Sequence, residues 1–300
     1  MPLLALTYKK LSQTDFKILR VIEAEMPKYE YVPVEVIERR LNIPSSHVHM
    51  SLSKLNRLKL VRRRTGGYTG FRLTWMGLDI LALKSLVDRG IIYALGDKLG
   101  VGKESDVYSA LAPSDKRVIV KFHRAGRTSF QRIVIYRPYV RDKPGVSWML
   151  LAKIAGEREF KALVDLYKVG ASVPKPIGYS RHAVVIDYID GVELYEYQNP
   201  EDPKYILKRI LFTLRKAYMD VGIVHGDLSE YNVMVTIIDD REEPLIIDWP
   251  QYVPRDDPSA ESLLRRDIAY ILRFFRRRYR ISLDEQKALS YVKGEIEELE

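Results

Sequence analysis

Apolar residues recur at helical spacing from Ser12 to Met26, again from Pro33 to Leu41, and a third time from Pro44 to about Leu58. Each stretch predicts a helix, and Pro44 suits the first turn of the third because its missing N–H would have no partner there. The next segment, LVRRRTGGYTGFRLT, has strand character on either side of Gly66-Gly67 and Gly70. It predicts two short strands joined as a hairpin. Thr74 to about Gly90 is periodic again and predicts a closing helix, with Arg89-Gly90 as a domain boundary. Beyond it, strand-like runs and helical runs alternate to the end of the chain.

Three helices followed by a hairpin and a closing helix resemble a winged helix-turn-helix. Charge sharpens that reading. The chain carries +9 at pH 7, and residues 1–90 hold 16 Lys and Arg against 8 Asp and Glu, a surplus of +8. From Asn42 to Leu78 there are seven basic residues and no acidic one. A stretch so depleted in acids favours a polyanionic partner over a merely solvated face. In such modules the third helix enters a groove and the wing touches the backbone, which makes Ser46, His49, Lys54, Arg57, Arg62, Arg63 and Arg64 candidate nucleic-acid contacts. A winged helix that docks on protein is the alternative.

Composition excludes several chemistries. With no Cys, disulfides, thiolate catalysis and cysteine zinc sites are ruled out, and the five scattered His residues have no metal-ligand spacing. Any metal must therefore be held by oxygen. Few Gln and Asn beside abundant Lys, Arg, Glu and Tyr resemble a thermophile's composition. No apolar run reaches the roughly 18 residues of a membrane span, and MPLLALTYKK lacks a signal peptide's basic start, so a cytoplasmic location is expected.

After residue 90 the chain places glycines and small polar residues between two strand-like segments, in LGDKLGVGKESDVYSALAPSDKRVIVKF. A Walker A loop would need Gly where Asp97 stands and Ser or Thr where Glu104 stands, so that motif fails. A kinase glycine loop fits better: Gly100, Gly102 and Ser105 in place of the third glycine, then Val107, with Lys103 inside the turn. Lys121 ends the strand-like run Val118-Ile119-Val120, as the phosphate-pairing lysine of a kinase does. Farther on, HGDLSEYN sets Asp227 five residues before Asn232, and Leu245-Ile246-Ile247 runs into Asp248. Asp227 stands where a kinase's base accepts the hydroxyl proton, and Asn232 and Asp248 offer oxygen to a hard cation such as magnesium or manganese. Elements in that order read as an ATP-dependent phosphotransferase.

The segments GVGKESDVY, VIVKFHRAGRTSF, REFKAL, IVHGDLSEYNVMV and IIDWPQ are together similar to the RIO family of atypical protein kinases. The winged helix in front is similar to the second type of that family. The resemblance implies an α+β protein: a winged helix over residues 1–90, a trimmed kinase N-lobe over 91–190 and a C-lobe over 191–300. It implies that Glu159 of REFKAL partners Lys121, with Glu157 as the neighbouring alternative. It also implies a hinge at Ile186 to Ile189, where the backbone of Asp187 and Ile189 would read adenine. The implied activity is ATP- and magnesium-dependent serine/threonine phosphorylation or ATP hydrolysis, with autophosphorylation. The implied partners are pre-small-subunit ribosomal RNA and ribosomal proteins, in late maturation of the small ribosomal subunit.

Departures from ordinary kinases narrow the expectation. Gly226 replaces the Arg of H-R-D, Trp249-Pro250 replaces the Phe-Gly of D-F-G, Ser229 stands where the catalytic loop's lysine would be, and no A-P-E follows. Control by a phosphorylated activation loop and a large peptide platform are therefore not expected. Six basic residues between Arg124 and Lys143 against the single acid Asp142 suggest a flexible basic insert, with Ser129 and Thr128 as autophosphorylation candidates. LLRRDIAYILRFFRRRYR reads as a packed helix with a basic face. Two rivals remain at this level: a small-molecule phosphotransferase of the aminoglycoside or choline kinase kind, and a nucleic-acid-binding protein with an inert kinase domain.

Overall fold

The computed structural model describes residues 1–101, 105–124 and 148–299. The chain forms two compact units, one of residues 1–154 with 179–183 and the other of residues 155–178 with 184–300. The fold is α+β in both.

The first unit opens with helix α1 (Leu3–Lys9), an element the sequence pattern did not announce, followed by α2 (Gln13–Glu25). Ser12 caps α2 reciprocally: its hydroxyl accepts from the Asp15 amide at 3.2 Å, and the Asp15 carboxylate accepts from the Ser12 amide at 2.8 Å. A two-residue strand β1 (Val32–Pro33), α3 (Val34–Leu41) and α4 (Ser45–Arg57) come next, then β2 (Val61–Arg64) and β3 (Gly70–Leu73). The three strands form one sheet in the order β1-β3-β2. This is the winged helix, with Gly66 and Gly67 at φ +117° and +70° turning the wing's tip. Helix α5 (Trp75–Asp88) is capped by Thr74, whose Oγ1 accepts from the Gly77 amide at 3.1 Å. Gly77 is forced by packing, since a Cβ there would lie 2.2 Å from the Leu60 carbonyl oxygen.

Helix α5 buries Leu78 to Leu83 in unbroken succession, including Asp79. A helix apolar all round must be covered all round. In the same unit stand β4 (Ala94–Val101), β5 (Ser105–Ala112) and β6 (Lys116–His123), antiparallel and in sequence order. A buried charge cluster joins them to α5. Arg124 donates to both Asp79 oxygens at 2.6 and 2.9 Å and to Asp106 of β5 at 2.6 Å, and its guanidinium lies 5.2 Å from the Trp75 ring. His182 joins through its Nε2, 2.8 Å from Asp79. Burial lowers the imidazole below its ordinary range, while the neighbouring Asp79 carboxylate pulls the other way. Arg124, which the sequence suggested as the start of a basic insert, is an interior residue. The remainder of that segment, with Ser129 and Thr128, lies outside the described residues, as do Gly102 and Lys103.

Helix α6 (Trp148–Lys168) runs from the first unit into the second. The strands β7 (Pro176–Ser180) and β8 (Ala183–Asp187) follow, with their connecting tip in the first unit. The second unit then contains β9 (Gly191–Glu193), α7 (Pro203–Lys216), β10 (Ile223–Val224), β11 (Val233–Ile238), β12 (Arg241–Ile246), β13 (Val253–Pro254), α8 (Ala260–Tyr279) and α9 (Glu285–Val292). One sheet has the order β12-β11-β9, and β10 pairs with β13. Asp202 caps α7, with Pro203 in its first turn, and Ile206, Leu207, Ile210, Leu211 and Leu214 form its buried stripe. Helix α8 buries Leu263, Leu264, Ile268, Ile271 and Phe275, so the basic segment predicted to pack does so. Among the described residues no helix is long and apolar enough to cross a membrane.

Candidate active site

The chain leaves β10, makes the loop from His225 to Asn232, and enters β11, which pairs with β12 so that Val233 faces Ile246. That pairing brings Asp248 back beside the loop it left behind. The join is extended by an Ile247 amide donating to the Asn232 carbonyl at 2.9 Å. His225 makes a second tie. Its Nδ1 accepts from the Asp227 amide at 3.3 Å, which leaves Nε2 protonated to donate to the Ile247 carbonyl at 3.0 Å. Asn232 donates its Nδ2 to the Asp227 carbonyl at 2.8 Å. With the amide nitrogen so engaged, the Asn232 oxygen is turned away from the loop backbone and available to a cation. The Asp227 side chain is 60% exposed, as a group that must meet a substrate has to be.

Asp267 on α8 holds this loop from beneath, and sequence reasoning did not find it. It is fully buried and accepts from the Gly226 amide at 2.7 Å and the Leu228 amide at 3.2 Å. Burial pushes its carboxyl above the ordinary carboxylate range, while His225, the two amides and Arg266 pull the other way. Arg266 donates to the Gly226 carbonyl and reaches Asp227 at 4.0 Å. Gly226 itself sits at φ +77°, a left-handed conformation that explains why glycine occupies the position of the usual arginine. The only sequence signal for Asp267 was a carboxylate on the apolar side of a helical repeat.

Asp248 has φ +66°, rare for a residue with a side chain, and it is one of the positions where backbone strain coincides with a candidate ligand. Trp249 is fully buried, with its indole N–H donating to the Ile246 carbonyl at 3.0 Å and its ring edge-on to His225 at 4.6 Å. It anchors the strand end from which Asp248 projects. Arg158 on α6 pins the following residues, donating to the Pro250 carbonyl at 2.9 Å and to that of Tyr252, with its guanidinium 4.1 Å above the Tyr252 ring. One residue farther along α6, Glu159 is buried, whereas Glu157 is exposed. The backbone of Asp187 ends β8 and donates to the Lys175 carbonyl at 3.0 Å, and Ile189 follows in the connection to β9.

In the first unit, Gly100 lies on β4 opposite Val107, and Val107 lies opposite Lys121 across β5 and β6. Ser105 opens β5. Of these strands β5 therefore runs beside the strand that carries Lys121, and β4 lies on the far side of β5. Asp106, between Ser105 and Val107, is fixed by Arg124 and by Lys98 at 2.7 Å. Burial alone would raise its carboxyl, but Lys98 and Arg124 hold it below its ordinary value. Arg124 is three residues from Lys121, so one guanidinium ties the end of β6 to the start of β5.

The winged helix presents its candidates unequally. His49, Arg57, Arg62, Arg63 and Arg64 are exposed, and so is Ser46. Lys54 is not available in the same way, because it ion-pairs at 2.7 Å with buried Asp15. Burial would raise the Asp15 carboxyl, and the bonds from Lys54 and Ser12 instead hold it low. Lys54 is thus a structural cation, and the acid-free stretch hid this because its partner lies 39 residues away. His49 lies 3.4 Å from Glu38 and Arg64 lies 3.1 Å from Glu30, both at exposed positions where such pairs exchange readily with solvent. Arg62 faces Arg72 across the hairpin, a like-charge pairing that leaves its charge uncompensated.

A strand bearing Lys121 paired with the strand that follows the glycine motif, and a His225–Asn232 loop tied to the strand end at Asp248, are the parts of a kinase-type phosphotransferase carrying a winged helix. The RIO domain family matches residues 106–288, and the family described as Rio2, N-terminal matches residues 8–89. The RIO-type serine/threonine-protein kinase Rio2 of Methanocaldococcus jannaschii is 39% identical over 267 residues, covering 87% of this chain and 96% of that protein. The serine/threonine-protein kinase rio2 of Schizosaccharomyces pombe is 35% identical over 277 residues, covering 91% and 79%. The crystal structure of the Rio2 kinase–ADP/Mg2+–phosphoaspartate complex from Chaetomium thermophilum superposes with a TM-score of 0.83 at 34% identity, covering 96% of this chain and 89% of that one. The chain belongs to the RIO family of atypical serine/threonine kinases, in its winged-helix Rio2 branch.

Proposed function

We propose that this protein uses ATP and magnesium to phosphorylate serine or threonine, itself included, and acts in the cytoplasm in late maturation of the small ribosomal subunit. The observation that carries the phosphotransfer reading is the Asp227–Asn232–Asp248 arrangement, in which two oxygen ligands are locked by backbone bonds to the loop bearing the base. Magnesium prefers oxygen and keeps several waters, so a carboxylate and an amide oxygen suit it. Bound between them, it would neutralise charge on the phosphates. By the family resemblance, Lys121 serves the phosphates with Glu159 as its assigned partner, and Gly100, Ser105 and Val107 belong to the glycine motif, whose Gly102 and Lys103 lie outside the described residues. Backbone groups at Asp187 and Ile189 receive adenine. Asp227 accepts the proton as an acceptor hydroxyl attacks the γ-phosphorus and ADP departs.

ATP with magnesium is expected to raise the melting temperature, because a ligand of the folded state alone stabilises it by about 2.7 kcal/mol at a hundredfold excess over Kd. Differential scanning fluorimetry measures this directly, and no shift at saturating nucleotide would sink the reading. Phosphoaspartate in the Chaetomium protein widens the acceptors worth testing beyond Ser129 and Thr128. An acyl phosphate is released by hydroxylamine and a phosphoserine is not, so that reagent sorts the two after incubation with labelled ATP.

The assignment of pre-small-subunit ribosomal RNA and ribosomal proteins as partners rests on the family and on the exposed arginines of the wing. Arg62 and Arg64 share one face of their strand, with Arg63 on the other. If the wing lies on phosphates by one face, replacing all three with Ala flattens the logarithmic salt slope by about two. Binding to ribosomal RNA, followed across a salt series, tests this, and an unchanged slope would assign the wing to protein docking. Crosslinking to small-subunit precursors tests the wider role.

A further inference from the structure

Beside the catalytic loop the second unit holds a cleft of about 580 Å³ that is walled on one side by Tyr195, Glu230 and Tyr231 and on the other by α8. That volume is within the range of ligand-binding pockets. Asp227 stands at one end of its lining, and Arg273, Arg277 and Arg278 of α8 supply the rest of its charge. These three arginines are exposed, and among the described residues none is within ion-pair distance of a carboxylate. Their neighbours on the same helix behave differently: Arg265 pairs with Glu261 at 3.0 Å and Arg266 with Asp267 at 3.6 Å. The aromatic wall is also uncovered. Tyr195 and Tyr231 pack with ring centroids 4.7 Å apart yet remain 51% and 49% exposed.

We propose that this cleft is the acceptor site and that it selects polypeptides whose phosphorylatable serine or threonine is flanked by acidic residues. The inference rests on the kinase reading and adds its substrate class. The cleft is polarised, with the carboxylates of Asp227 and Glu230 toward one end and three arginines along α8. An unbroken phosphate backbone would meet the two carboxylates unfavourably. A peptide avoids that repulsion when it brings a neutral hydroxyl to Asp227 and places its acids against guanidinium groups, which take carboxylates bidentately. Its oxygen bonds to the γ-phosphorus, the bond from that phosphorus to the ADP oxygen breaks, and the hydroxyl proton passes to Asp227. The missing activation-segment platform is thereby replaced by a surface built from the catalytic loop and α8.

The test uses the full chain and serine peptides that differ only in flanking Glu, Gln or Lys. With exposed pairs contributing modestly each, the Glu peptide is expected to exceed the Gln peptide by about tenfold in kcat/KM. The gap should narrow as salt is added. The double charge reversal Arg273→Glu with Arg277→Glu should invert the order toward the Lys peptide, an outcome that misfolding cannot mimic. Equal rates on all three peptides, no peptide phosphorylation despite ATP turnover, or an order unchanged in the variant would overturn the proposal. So would oligouridine displacing the Glu peptide from the wild type but not from the variant, which would assign the cleft to RNA. Absence of nucleotide binding in the wild type would overturn the kinase reading itself, and this inference with it.

Discussion

Asp248→Ala is expected to lower phosphoryl transfer by roughly a thousandfold or more, the scale on which removing one preorganised electrostatic group acts. On the proposed reading the residue gives a carboxylate to a hard cation, and its backbone is held by β11–β12 pairing and by buried Trp249, so the expected loss is chemical and not conformational. Stability should move little. Asp248 sits at φ +66°, where its side chain is strained already, and Asp248→Gly should hold or raise the melting temperature while abolishing turnover. The magnesium dependence of the ATP-induced melting shift should vanish in both variants. Lys121→Ala, by contrast, removes a point charge and should weaken nucleotide binding while leaving the metal dependence in place. Wild-type turnover in Asp248→Ala would refute the assignment.

The second large effect is on stability. Asp79→Ala strips Arg124 of its bidentate partner inside the first unit and leaves a guanidinium that water cannot reach, since Arg124 is 4% exposed. Breaking a buried pair from one side costs about 3–5 kcal/mol. For a protein of this size that is a fall of about 10 °C in melting temperature. Arg124→Ala should be comparable, since it leaves Asp79 with only His182 and Asp106 with only Lys98. Replacing Asp79 and Arg124 together with Leu and Met should recover part of the loss, because the pair leaves together and Asp106 keeps Lys98. Thermal denaturation of the three variants decides it, and a loss below about 1 kcal/mol in each single variant would show that water reaches the cluster.

These expectations differ in how visible they were beforehand. Gly100, Lys121, Asp227, Asn232 and Asp248 were legible as candidates because their motifs are local: each lies on a strand or in a connection beside one, and their order along the chain is itself the signal. The winged helix was legible for the same reason, since its helices and hairpin follow from periodicity, capping residues and glycines within a few positions. Helix α1 escaped because seven residues are too few for periodicity to register. Glu159 is buried and Glu157 exposed, a difference that two positions on one helical motif do not announce.

What the sequence by itself determined is the sequence of local elements and the reactive groups they present, because hydrogen bonding within helices and hairpins is decided among near neighbours. What only the tertiary structure decided is the fate of its charges. Lys54 looked like a nucleic-acid contact and is bound to Asp15, Arg124 looked like the edge of a basic loop and is sealed against Asp79, and Asp267, a carboxylate on the apolar side of its helix, holds Gly226 and Leu228 in place. Their partners lie 39 to 45 residues away. A charge is indistinguishable along the chain from one that faces water until folding brings up the opposite charge or the amide that makes its burial affordable.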